Sequence, residues 1–275
     1  MPAAWTYGFS AYANLPPEAF RRRCLGLLAG GFGALEVFAV GDIIDATTFD
    51  LYTEAIGAVV AESGASLSVH LPTTDVNPLA RNRRVAQASL ESQKAAIAWA
   101  GQIGATLAVL HLGSAPGVLG SPQGRGDERF GRFWKLSQTT LADLAACARS
   151  HRVHLTIENL IGPREVAASP DLLTELLETP GCEDVGLTVD LSHALLGGYD
   201  VAAFVRQVAP RLWHVHANDT DRQGDRHWPL GQGQLPLAQA VDALRAVGFA
   251  GTFLLEIDGP AELLQRSRQT VEALL

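Results

Sequence analysis

Eight short runs of apolar, largely β-branched residues recur along this chain, and each leads into a stretch with the period of an amphipathic helix. The runs are Thr6–Ser10, Ala34–Phe38, Ser66–His70, Thr106–His111, Val153–Glu158, Gly186–Asp190, Leu212–His216 and Thr252–Glu256. Among the stretches between and after them, Pro17–Ala29, Arg84–Ala100, Phe130–Ser150, Leu237–Val247 and Ala261–Leu275 read as helices long enough to cross one sheet face. Strand-then-helix alternation builds a parallel sheet, and eight such units are the arithmetic of an α/β fold closed as a single (β/α)8 barrel. A length of 275 residues suits one such barrel, so residues 1–275 are expected to form one domain. The Gly- and Pro-rich stretches Gly113–Gly126 and Arg222–Pro236 follow strands and are too short to be domains.

Composition removes several alternatives. An apolar content of 47% can bury a full core, which excludes a disordered chain, and no apolar run is long enough to predict a membrane span. The opening Met1-Pro-Ala-Ala-Trp-Thr-Tyr has neither a basic nor an apolar leader region, so no signal peptide is expected. Cys24, Cys147 and Cys182 are odd in number and widely spaced; a disulfide framework is rejected and a reducing cytoplasm is expected. With 21 basic against 29 acidic residues, the net charge of −8 lacks the broad positive footprint of a nucleic-acid binder.

The informative pattern is positional. Six of the eight runs end in a residue that can ligate a metal: His70, His111, Glu158, Asp190, His216 and Glu256. In a (β/α)8 barrel all strand C-termini open on one face, so these side chains should meet at one mouth. Singly each has a plainer explanation, since a histidine after a strand is usually a hydrogen-bonded loop residue and a strand-end Asp is commonly a helix cap. Six at equivalent positions outweigh those explanations. Acids held together repel one another, and a divalent cation is the natural counter-charge. Mixed imidazole and carboxylate donors suit Zn, Mn, Fe or Co better than Ca or Mg. His193 lies three residues past Asp190, while Asp225 and His227 are two apart and share a side of an extended loop; with His70 and His111 they are read as further metal ligands or substrate contacts.

Weaker signals are set aside. Gly30-Gly31-Phe32-Gly33 precedes a strand and reads as a turn, and the stretch Gly113–Gly117 reads as a plain loop before a phosphate cradle. Cys147 and Cys182 have no neighbouring histidine and are not expected to be catalytic. Trp99 and Trp134 fall in helical stretches as packing residues, whereas Trp5 and Trp228 are expected to line the mouth.

His-Leu-Gly-Ser at 111–114, Ile-Glu-Asn-Leu at 157–160, Val-Asp-Leu-Ser-His at 189–193, His-Ala-Asn-Asp at 216–219, Asp-Arg-His-Trp-Pro-Leu-Gly-Gln-Gly at 225–233 and Leu-Leu-Glu at 254–256 occur in this order. Together they resemble the xylose isomerase-like TIM-barrel superfamily, which holds sugar-phosphate isomerases and epimerases and the endonuclease IV type of apurinic-site nucleases. The resemblance implies a metal set of Glu158, Asp190, His216 and Glu256. In the epimerase branch it further implies that Glu158 and Glu256 serve as acid and base, with His193 and Arg222 binding a sugar. In the nuclease branch it implies a three-metal cluster joined by His70, His111, His193, Asp225 and His227, and all nine positions carry the matching residue.

Departures set the order of the two branches. The first strand reads Tyr-Gly-Phe-Ser-Ala-Tyr-Ala rather than Gly-x-His-Val-Ser, and the DNA-penetrating segment after the second strand is replaced by Glu-Val-Phe-Ala-Val-Gly-Asp-Ile-Ile-Asp, acidic where phosphates would have to be met. The chain is therefore expected to be a divalent-metal isomerase, epimerase or related lyase that takes a proton from carbon beside the carbonyl of a sugar or sugar phosphate through an enediolate. A trinuclear phosphodiesterase acting on abasic DNA ranks second. A non-catalytic metal-dependent ligand-binding barrel ranks third.

Overall fold

Strands buried on both faces usually read as near-continuous apolar runs, but here Ser66–His70 and His154–Glu158 alternate polar with apolar residues although all but the first residue of each is buried. The computed structural model describes residues 5–12, 15–39, 46–114, 128–162 and 164–275. In chain order the elements are β1 (Thr6–Ala11), α1 (Pro17–Ala29), β2 (Ala34–Phe38), α2 (Ala46–Ser63), β3 (Ser66–His70), α3 (Arg83–Gln102), β4 (Leu107–Leu110) and α4 (Glu128–His151). They continue as β5 (His154–Glu158), α5 (Pro170–Leu177), β6 (Val185–Asp190), α6 (Leu191–Leu196), α7 (Val201–Val208), β7 (Leu212–Ala217), α8 (Leu237–Ala246), β8 (Thr252–Leu255) and α9 (Ala261–Glu272). Each strand runs parallel to the next and β8 returns to β1, so the sheet closes as a single (β/α)8 barrel.

Local chemistry explains the helix starts. Asn82, Ser169, Asp190 and Asp200 cap α3, α5, α6 and α7 through their side chains, and Pro17 and Pro170 open α1 and α5 where a missing N–H costs nothing. One unit departs from the simple repeat: β6 is followed by two short helices. Asp190 starts the first directly at the strand end, the turn at Gly197 and Gly198 stops it, and Asp200 starts the second. Among the described residues no helix is long and apolar enough to cross a membrane.

Two features position the site. The barrel lumen is polar below the mouth, where Glu36, Ser68, Thr156, Thr188 and His214 are all buried and the Thr156 and Thr188 hydroxyls lie 2.7 Å apart. The loop from β7 to α8 is tied to one carboxylate: Asp219 accepts from the backbone N–H groups of Thr220 and Leu235 through Oδ1, and of Gly231 and Gly233 through Oδ2, each at 2.9 Å. A Cβ at Gly233 would run into Asp219 and the Thr220 backbone, so glycine is needed there for close approach.

The tryptophans divide differently from expectation. Trp5 does not line the mouth; it precedes β1, at the opposite end of the barrel, and is buried against Phe249 and Phe253. Trp228 is exposed on the loop after β7. Trp99 packs as expected, with its indole N–H donating to Thr53. Of Gly113–Gly117, only Gly113 and Ser114 lie within the described residues.

Candidate metal centre

Strand register brings the predicted ligands together. Asp190 on β6 sits beside His216 on β7, Glu158 ends β5, and Glu256 follows β8 by one residue. One ligand atom from each of Glu158, Asp190, His216 and Glu256 lies within 4.8 Å of the others, in a site where the first three are fully buried. His216 Nδ1 is 3.3 Å from Glu158 Oε1 and 3.1 Å from Glu256 Oε2. Asp190 serves two ends at once. Its Oδ1 accepts from the His193 N–H as the cap of α6, and its Oδ2 accepts from the Asn218 amide, while Asn159 braces its backbone on both sides.

The remaining predicted residues surround this core. Glu158 Oε2 faces His70 Nε2 at 3.2 Å and His111 Nε2 at 2.9 Å; His111 stands one residue beyond the end of β4. His193 Nε2 and His227 Nε2 lie 3.2 and 3.1 Å from Asp225 Oδ2, forming a chain that reaches the core where His193 Nδ1 comes 3.4 Å from Glu158 Oε1. Arg222 is exposed, and no described contact joins it to the cluster. A cavity of about 350 Å³ opens over the site, lined in part by Asn77, His111, Ser114, Glu165, His193 and Asp225.

Carboxylates and imidazoles of the site offset the cost of one another's burial. Burial alone would push Glu158 up, but His216 and His111 hold it well below the usual carboxylate range. Burial would strip the proton from His216, yet Glu158, Glu36 and Glu256 hold it well above the ordinary imidazole value. His193 is likewise raised by Asp190 and Asp225 against its burial, and His227 is raised to about 10, chiefly by Asp225 and Glu256. Asp190 is pushed up to about 6 by burial, with Glu158 and Glu256 adding to it and His193 opposing.

These residues fit a divalent cation on the chemistry of the donors. His70 Nδ1–H donates to the Leu71 carbonyl, His193 Nδ1–H to the Asn159 carbonyl and His227 Nδ1–H to the Glu256 carbonyl. A carbonyl only accepts, so each ring carries its proton on Nδ1 and aims Nε2 at a carboxylate oxygen, which also only accepts. Such an Nε2 needs either a second proton or a cation beside it, and an N–H held by a backbone carbonyl is how metal-ligating histidines are usually fixed. Soft thiolates are absent from the described cluster, and imidazole with carboxylate favours Zn, Mn, Co or Fe.

Three residues escaped the sequence reading. Glu36 and His214 lie inside the lumen, where Glu36 meets His214 at 3.3 Å and His216 at 2.9 Å across the barrel from β2 to β7. The spacing of His214 two residues before His216, on the same strand face, was the available signal. Glu165 lines the cavity as a carboxyl raised by burial, and no periodicity marked it.

An uncharacterised protein of Methanocaldococcus jannaschii is 26% identical over 192 residues, 68% of this chain and 63% of that one. An inosose isomerase of Bacillus subtilis is 25% identical over 133 residues, 46% of this chain and 48% of the isomerase, so the match spans about half of that enzyme. A crystal structure of a D-tagatose 3-epimerase-like protein superposes with a TM-score of 0.81 over 98% of this chain and 96% of that one; at 20% identity it shows the fold alone. A family model described as xylose isomerase-like TIM barrel matches residues 28–274, nearly the whole length, and the protein is therefore a member of that family.

Proposed function

We propose that the protein is a divalent-metal-dependent isomerase or epimerase of a small sugar or sugar phosphate. The observation that carries this reading is the pair Glu158 and Glu256, two buried carboxylates converging on His216 Nδ1 below an open cavity of sugar size. The inosose isomerase among its relatives supports the substrate class. Glu158, Asp190, His216 and Glu256 would hold the cation, with Zn, Mn, Co or Fe better suited than Mg, and it would supply positive charge toward the developing oxyanion. Glu158 removes the proton from carbon next to the carbonyl and Glu256 returns one, or the reverse. Burial of both carboxylates keeps bulk water from intercepting that proton. His193 orients substrate hydroxyls from the cavity wall, and Arg222 joins it from the loop after β7. Free Cys24, Cys147 and Cys182 fit a cytoplasmic setting.

The test is solvent exchange. With Zn or Mn added, a panel of ketoses, their phosphates and inososes in D2O should take up deuterium at the carbon beside the carbonyl. Absence of exchange from every ketose would remove the proposal.

A second reading, a phosphodiesterase with two or three ions, has one specific observation behind it: His70, His193 and His227 are each anchored through Nδ1 with Nε2 turned toward a carboxylate. More than one metal equivalent per chain, with turnover of abasic DNA, would favour it.

A further inference from the structure

His70, His193 and His227 all fix their rings on backbone carbonyls, but His216 has no such option. It lies within β7, where strand carbonyls are committed to the parallel ladders with β6 and β8. Its ring is also turned the other way. Nδ1 faces the mouth carboxylates, and Nε2 points down into the lumen, 2.9 Å from Glu36 Oε1. Glu36 is fully buried in the middle of β2, its other oxygen takes the Ser68 hydroxyl proton at 2.8 Å, and His214 Nε2 stands 3.3 Å away. A buried carboxylate is costly to keep without partners that donate to it, and nothing in the sheet ladder requires an acid here. His216 and Glu36 make an ion-pair contact at 2.9 Å rather than an aligned hydrogen bond, and His216 Nε2, Glu36 Oε1 and His214 Nε2 are each left without a hydrogen-bond partner.

We infer that Glu36 is the positioning residue of the metal centre: its carboxylate faces the protonated Nε2 of His216 across 2.9 Å, and so turns the Nδ1 lone pair upward to a cation shared with Glu158, Asp190 and Glu256. Ser68 fixes the carboxylate from β3, and His214 fills the lumen beside it. The role matches that of the backbone carbonyls around the mouth, supplied here by a side chain because the β7 carbonyls are committed to the ladders. Outer partners of this kind typically change metal affinity by about 10–100-fold when removed. The inference rests on the proposed metal site and deepens it.

Two measurements test it. Zinc titration of the full chain should show Glu36→Gln binding the same number of equivalents as wild type, with affinity weakened by about 10–100-fold, and Ser68→Ala weakened less. Nitrogen-15 spectra of histidine-labelled, zinc-loaded wild type should show His216 protonated at Nε2 and metal-bound at Nδ1, a readout independent of whether any variant folds. Unchanged zinc affinity in Glu36→Gln, or a His216 without a proton on Nε2, would overturn the inference while leaving the mouth site standing. Loss of a whole zinc equivalent would overturn it too, making Glu36, His214 and His216 a second metal centre. Failure of wild type to bind zinc through His216 at all would instead remove the proposed function, and this inference with it.

Discussion

Glu158 meets four histidines of the site, His70, His111, His193 and His216. Its replacement by Gln keeps the volume and removes the charge. Turnover should fall by about 10²–10⁴-fold, the range of general acid–base catalysis, with the fold retained by circular dichroism. A variant keeping more than about a tenth of the wild-type rate would show that Glu158 neither takes nor gives the proton. At this scale the sequence was readable where a residue sat at a strand end, because barrel geometry alone aims such side chains at one face. Glu36 was not readable for the converse reason. In Ala-Leu-Glu-Val-Phe a charged residue looks like a solvent-facing or loop position, and only closure of the barrel reveals that the strand has no solvent face.

Elements divide in the same way. β2, β3 and α1 keep the boundaries that apolar runs and caps imply, whereas β4 and β8 stop one residue short of His111 and Glu256. Those two residues stand just past the strand ends at the mouth, with the Glu256 N–H still donating to the Ala217 carbonyl of β7. The double helix after β6 was hidden because α6 has only 6 residues, too few for a period to register. Asp219 sets the course of the loop after β7 through four backbone N–H groups. Because that anchor lies apart from Asp225 and His227, changing both to Ala should leave the loop in place and the metal at Glu158 and Glu256 bound. Elemental analysis is expected to find one equivalent before and after the change, with activity lost through substrate binding. A fall of one equivalent from a wild type holding two or three would promote the phosphodiesterase reading.

For the whole molecule, a ligand that binds only the folded chain adds to stability by mass action, about 4 kcal/mol at a thousand times its dissociation constant. Stripping metal with a chelator should therefore lower the melting midpoint by roughly 2–4 °C for each kcal/mol lost. His216→Ala should melt at nearly the same temperature with and without added zinc. If both proteins instead gain equally from saturating zinc, His216 is not a ligand.

The closing of the barrel has a consequence for how the protein is made. β8 must slide between β7 and β1, so the barrel's earliest and latest strands in chain order are neighbours in the finished ring. Glu256 directly follows that last strand. A nascent chain can display Glu158, Asp190 and His216 while the ring is still open, but it cannot complete the set until the final strand has docked. Full-strength capture of the proposed cation would thus report closure of the ring, acquired only when the two ends of the sheet have met.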